Sequence, residues 1–273
     1  MAEAAPGFST LLKQWRQHRR VSQLDLAADV GVSQRHLSFL ETGRANPSQP
    51  MVLALAEALH VPLRERNSLL QSAGYVASFV EGNLDEDSHS AFRSAIDQIL
   101  GQQEPFPAIV LDGRWNMTGF NPGALRFFSL FIDPFQAQID IGNPQEFQMV
   151  RLCLSDRALK PYIKNWHELV HSFLNRARKA KLANPADESL GVLIQEILDH
   201  PDADNDWHKV WQVHHAPAIE MVMAKDGIEY RFFTMLAHFG APGDVTLEEI
   251  SVELFYPAND ETRERMFALA GSA

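Results

Sequence analysis

The chain has a single cysteine, Cys153, so no internal disulfide can form, and a reducing cytoplasm is the expected setting. No run is long and apolar enough to span a bilayer, and the first residues lack the basic-then-apolar pattern of a signal peptide, so no membrane partner is expected. There is no glycine-rich phosphate loop and no G-x-S-x-G elbow, and no residue is assigned a catalytic role. Positive charge is short as well: 24 Lys/Arg stand against 35 Asp/Glu, net −11. That balance conflicts with a surface that binds nucleic acid throughout. What is present suffices for two cores, because 45% of the 273 residues are hydrophobic.

The charge is unevenly spread. Residues 1–75 hold eight Lys/Arg and six Asp/Glu, net +2, which leaves −13 for the rest of a chain whose total is −11. Within the basic part, Ser22 is an N-cap with Asp25 three residues on and Val21/Leu26 as a hydrophobic staple. Gly31 suits the left-handed residue that ends a helix. Ser33 caps a second helix, with Val32/Leu37 as its staple. Leu24, Ala27, Ala28, Leu37 and Leu40 are expected to face inward. Phe8, Leu11, Leu12 and Trp15 keep helical spacing upstream, and Met51–Leu59 and Pro62–Ala73 read as two more helices. The expectation is a five-helix, all-α unit. Arg16, Arg19, Arg20, Arg35 and Arg44 cluster around its two central helices.

Ser22-Gln23, Leu26-Ala27, Gly31-Val32-Ser33, Leu37 and Leu40-Glu41-x-Gly43 closely resemble the Xre/Cro family of helix-turn-helix repressors. The resemblance covers about a quarter of the chain. It implies double-stranded DNA as partner. Gln23 would touch a phosphate. Ser33, the cap of the recognition helix, would also lie at the DNA, Gln34 and Arg35 would open that helix and meet base edges, and Ser38 and Phe39 lie one turn further on. Arg44 and Asn46 would grip the backbone from the following loop. Arg suits guanine and Gln suits adenine, since each bonds bidentately. Arg16 and Glu41 match a buried ion pair of the family, a structural role.

The remainder changes character. Glu81–Asp87 is an acidic loop, and Ser88–Leu100 is a linker helix with Phe92, Ile96, Ile99 and Leu100 on one face. Ala108–Asp112 reads as a strand, Asp112-Gly113 as a hairpin signal and Trp115–Phe120 as the returning strand. Asn121-Pro122 opens a short helix. Residues 156–215 read as helical, broken at Asn184-Pro185 and His200-Pro201. Strands return at Ile219–Ala224, Tyr230–Phe239 and Val245–Tyr256, the last alternating as if one face were buried. The fold class is an all-α DNA-binding domain (1–75), a connector and linker helix (76–103), and an α+β PAS-like domain with an antiparallel sheet (104–273).

Pro107-Ala-Ile-Val-Leu-Asp-Gly-Arg-Trp-Asn, then Asn121, Arg151, Asn165-Trp166 and Trp207-x-x-x-Trp211, resemble the MmyB-like ligand-binding domain found behind an Xre-type helix-turn-helix. The resemblance implies a transcription regulator with an apolar pocket suited to a fatty acid. No other cofactor is required. Phe120, Phe127, Phe128, Arg151, Trp166, Phe173, Phe233 and Met235 are the candidate pocket residues. Phe131, Phe135, Phe147, Phe232, Met221 and Met223 belong to the same apolar set, and Arg151, Arg231 and His238 are candidate anchors for a carboxylate. Dimers of this class read two-fold related half-sites, so a homodimer is expected.

Two readings compete. His167-Glu168-Leu169-Val170-His171 matches H-E-x-x-H, which on a helix can bind zinc with the glutamate as general base. No third ligand follows at the close Gly-x-x-His spacing, although Glu188 or Glu196 could serve from a distance, so no metal residue is assigned. Alternatively, the second domain only dimerises and senses nothing. Asp202-x-Asp204-x-Asp206 begins like a calcium loop, but Trp207 stands where glycine is needed. His214-His215 reads as a helix end.

Overall fold

The computed structural model describes residues 6–82, 89–133, 148–203, 219–240 and 243–271. Phe135, Phe147, Asp204, Asp206, Trp207, Trp211, His214 and His215 lie outside these residues. By its contacts the chain forms two compact units. The first is 1–82 with 184–186 and 241–248; the second is 83–183, 187–240 and 249–273.

The first unit is built on α1 (Phe8–His18), α2 (Gln23–Asp29), α3 (Gln34–Glu41), α4 (Gln49–Ala58) and α5 (Leu63–Ser72). Ser22 Oγ accepts the Asp25 N–H at 3.1 Å and donates to Asp25 Oδ2 at 2.7 Å, fixing the start of α2. Ser33 Oγ accepts the His36 N–H at 3.1 Å and starts α3. Gly31 lies between them at φ 71°, a conformation costly for any residue with a Cβ. Leu12, Leu26, Leu37, Leu40, Leu55 and Leu70 form the centre of the core.

The inward face of α2 differs from the expectation. Leu26 and Ala27 are buried, whereas Leu24 is 62% exposed and Ala28 also faces water. The helix turns on its 3.6-residue period about Leu26, Ala27 and Val30, which places Leu24 and Ala28 on the opposite side. Residues 243–248 also belong to this unit. Glu248 Oε2 accepts the Leu63 N–H at 2.7 Å, satisfying a donor that the first turn of α5 leaves open. Thr246 Oγ1 donates to Gly82 O at 2.8 Å, and the Val245 N–H donates to Val80 O at 2.9 Å.

The second unit contains α6 (Ser90–Gln102), β1 (Ala108–Leu111), β2 (Met117–Phe120), α7 (Pro122–Phe128) and α8 (Met149–Leu154). A 3-10 turn (Lys160–Tyr162), α9 (Trp166–Ala183), α10 (Glu188–Leu198), β3 (Met221–Lys225) and β4 (Ile228–His238) follow. After the short α11 (Val245–Glu249), all but the last residue of which belongs to the first unit, come β5 (Ser251–Pro257) and α12 (Asp260–Gly271). The sheet is antiparallel throughout, in the order β2-β1-β5-β4-β3. One face carries Ile109, Phe232 and Phe255 into the main core with α7, α8 and α9. The other carries Val110, Val252 and Leu254 against Ile96 of α6.

Three local readings are corrected. Residues 245–249 are helical, not the start of a strand, because Asp244 Oδ1 accepts the Leu247 N–H at 3.2 Å and Val245 and Leu247 are buried as a turn. β5 is buried on both faces from Ser251 to Phe255, since it lies between β1 and β4 with core on each side. The turn after β1 is longer than a two-residue hairpin. Asp112 Oδ1 accepts the N–H groups of Arg114 and Asn116 at 2.8 and 2.9 Å, and Trp115, not Gly113, takes the left-handed conformation at φ 64°. Asn121 caps α7 as its position suggests; it is buried, accepting the N–H groups of Ala124 and Ala108 and donating to Phe106 O.

Candidate nucleic-acid interface and ligand cleft

The exposed side of α3 presents Gln34 and Arg35 at its N-terminal end. The Arg35 guanidinium lies over the Phe39 ring, 5.4 Å from its centroid, a stacking that limits the directions the fork can take. Ser38 is half-buried and its carbonyl accepts from Thr42 Oγ1 at 2.8 Å. Ser33 uses its hydroxyl as the cap. Arg44 and Asn46 are exposed in the loop after Gly43, where the Arg44 N–H donates to Phe39 O at 2.9 Å. Together these residues form a short polar edge of the kind that enters a major groove.

Behind that edge lies a buried clasp. Arg16 Nε and Nη2 donate to Glu41 Oε1 and Oε2 at 2.5 and 2.9 Å, and Gln23 Nε2 donates to Glu41 Oε2 at 2.7 Å. Burial pushes the Glu41 carboxyl up, but hydrogen bonds from Arg16 and Gln23 and the charges of Arg16 and Lys13 outweigh it and hold the group below its ordinary range. Gln23, expected at a phosphate, is therefore tied to the scaffold through its amide nitrogen. Arg19 is also scaffold: Nε donates to Leu59 O and Nη2 to His60 O, both at 2.9 Å. Of the five clustered arginines, Arg20, Arg35 and Arg44 are the exposed ones.

Under the sheet of the second unit lie two cavities of about 40 Å3 each. The first is lined only by apolar residues, among them Ile109, Met117, Phe120, Phe128, Ile132 and Leu152. The second mixes Leu169, Phe173, Met221 and Phe255 with Ser172, Thr234, Arg176 and Glu253. Met149 lines both. Of the candidate pocket residues, Phe120 and Phe128 line the first cavity and Phe173 the second. Phe127 is fully buried among Phe128, Phe131, Tyr230 and Phe232 and lines neither. Trp166 is core, its Nε1 donating to Cys153 O at 2.7 Å.

Phe233 and Met235 do not join this group. They pair with Tyr256 and Leu254, which places them on the α6 face, and Met235 is 58% exposed there. The period-2 alternation of β4 assigns that face to them and the cleft face to Phe232 and Thr234.

None of the three candidate anchors lines either of these two cavities. Arg151 is held by Glu196 at 3.0 and 2.9 Å, Arg231 pairs with Glu229 at 2.6 Å, and His238 is exposed at the end of β4. The cation at the cleft is Arg176 of α9. Its Nη1 donates to Glu253 Oε1 at 3.2 Å, and the Glu253 side chain is only 4% exposed. The guanidinium stacks on Trp115 at 4.4 Å, the residue held at positive φ. Arg176 Nε is buried without a hydrogen-bond partner, at a cost of about 1–3 kcal/mol for such a donor.

The H-E-x-x-H residues are split by burial. His167 is exposed beside Trp166, while His171 is buried, contacts Asn175 through Nδ1 at 3.2 Å, and is held below the ordinary histidine value by burial and the charge of Arg178. Among the described residues no group of three His, Cys, Asp or Glu side chains could hold a metal. Asp202, the first residue of the calcium-like run, pairs with Lys160. Cys153 is fully buried, and its burial, with the charge of Glu253, pushes the thiol far above its ordinary value, so it is no nucleophile. Among the described residues no helix is long and apolar enough to cross a membrane.

Comparison with known proteins agrees with this division. Residues 12–66 match a helix-turn-helix family model, and residues 92–269 match that of the MmyB-like transcription regulator ligand binding domain. No curated protein matches the chain. A solved structure described as an RNA-binding light-oxygen-voltage receptor is similar over 98% of this chain at 10% identity and a TM-score of 0.27, too slight a likeness to carry an argument. The chain spans 64% of that structure's length. With a helix-turn-helix whose recognition helix is capped and exposed, and a match covering nearly all of the second unit, the chain belongs to the MmyB-like transcription regulators.

Proposed function

We propose that this DNA-binding regulator acts as a homodimer, and that its second unit, PAS-like in strand order, binds a fatty acid in the cleft under the sheet. The observation that carries the ligand reading is the wholly apolar first cavity, which shares one lining side chain, Met149, with a second that is lined by a cation. At about 40 Å3 each, the cavities are smaller than a small-molecule pocket of several hundred Å3, so an acyl chain must displace side chains as it enters. Flexible Met117, Met149 and Met221 suit that adjustment. Gln34 and Arg35 would read base edges while Arg44 and Asn46 hold phosphates. Ligand would act by binding one arrangement of the DNA-reading units better than another.

Native mass spectrometry of the full chain, followed by operator titration with and without dodecanoic acid, tests this reading. A dimer carrying an acyl ligand, with operator affinity changed by that ligand, is the expected result. A dimer that takes up no lipid and ignores it on DNA would leave the second unit as a dimerisation module, the reading that the small cavity volumes favour.

A further inference from the structure

We infer that Arg176 is the head-group site of the cleft, taking the anionic end of an amphipathic acid, and that Met149 is the partition its tail must pass. The inference rests on the apolar-ligand reading above and adds to it the chemistry of one end. Three observations converge on Arg176. Its contact with Glu253 is single and long, at 3.2 Å, whereas Arg16 and Arg151 each clasp their glutamates with two donors. Its Nε is buried with no acceptor. Its plane is fixed by Trp115 on one side, so the unused edge of the fork keeps one direction.

The missing partner is therefore an acceptor. A guanidinium has five donors, and Nη1 on Glu253 leaves an edge for a second carboxylate. Ser172 and Thr234 line the same cavity and can complete the shell of an anion. The orphan at this site is an N–H, which calls for an acceptor rather than a second cation. From this end the tail runs toward Phe120 and Ile132 only if Met149, which is 5% exposed and lines both cavities, swings aside.

The test is calorimetric titration of the full chain with dodecanoic acid and with dodecanol, which share a tail and differ in the head. Wild type is expected to favour the acid by on the order of tenfold, the scale of one charge-assisted hydrogen bond. Arg176→Gln should bind acid and alcohol equally, and Arg176→Lys should keep part of the preference. If wild type binds neither, the apolar-ligand reading itself fails. If it binds both equally, or Arg176→Gln keeps the preference, the head-group site is wrong and the apolar reading stands. The wild-type comparison needs no variant to fold. For the partition, Met149→Ala should tighten hexadecanoic acid more than octanoic acid; an equal change in both would overturn it.

Discussion

Gln34 and Arg35 occupy the exposed start of the recognition helix, while Arg44 sits in the loop beyond it, and this difference in place predicts a difference in phenotype. Arg35→Ala should cost about 1–3 kcal/mol on the cognate operator and relax the preference at one base position. Arg44→Ala should weaken all sequences alike and lower the salt slope by about one. Fluorescence anisotropy on matched and mutated operators at several salt concentrations separates the two. Glu41 gives a stability prediction. Its carboxyl is held below its ordinary value in the folded state, so its contribution is complete above the unfolded value of 4.5 and is lost as pH falls through the lower folded value. Glu41→Gln should therefore destabilise the unit by about 3 kcal/mol at neutral pH, with the deficit shrinking in acid below that window. Thermal melts across pH measure both. The clasp itself was legible, because Arg16 and Glu41 stand at matching motif positions. Arg176 was not. It lies in a run with Arg178, Lys179 and Lys181 that looks like a solvated face, and only the tertiary pairing with Glu253 and Trp115 sets it apart.

Elements were legible where local chemistry and burial agree. α2 and α3 carry serine caps, a left-handed glycine and staples within a few residues, so their limits could be read locally. Ser33→Ala should lower stability by about 1 kcal/mol through the lost cap, whereas Gln34→Ala should leave the melting temperature nearly unchanged. A shared stability loss would mean that Gln34 also supports the fold. β5 was harder. Alternation suggested one buried face, but a strand between two neighbours with core on both sides buries even Glu253, which persists there through Arg176. α11 was misread because β-branched Val245 and Thr246 favour strands, while the decisive signal was the cap from Asp244. Phe233 and Met235 were grouped with the cleft because composition carries no face; strand parity does.

At the scale of the whole chain, an acid excess of −11 coexists with a DNA-reading unit because the two properties occupy different stretches. Phosphate contacts by the basic unit should make operator binding weaken as salt rises, while the acidic remainder repels phosphate and should keep nonspecific binding at low salt weak. Titrations on random and operator duplexes at two salt concentrations check this. A protein that coats random DNA at low salt would show that the negative charge is not felt there.

The Glu248 acceptor on the first N–H of α5 gives this chain a timetable. During synthesis residues 1–82 leave the ribosome first, and Glu248 follows only after 165 more residues have been made. At usual rates of elongation that is a wait of on the order of ten to thirty seconds. Until then the helix that closes the DNA-reading unit lacks one of its acceptors, as does the Gly82 N–H, which donates to Thr246 Oγ1. A nascent chain thus carries an unfinished reader, and only a polypeptide extended past Glu248 can tighten it.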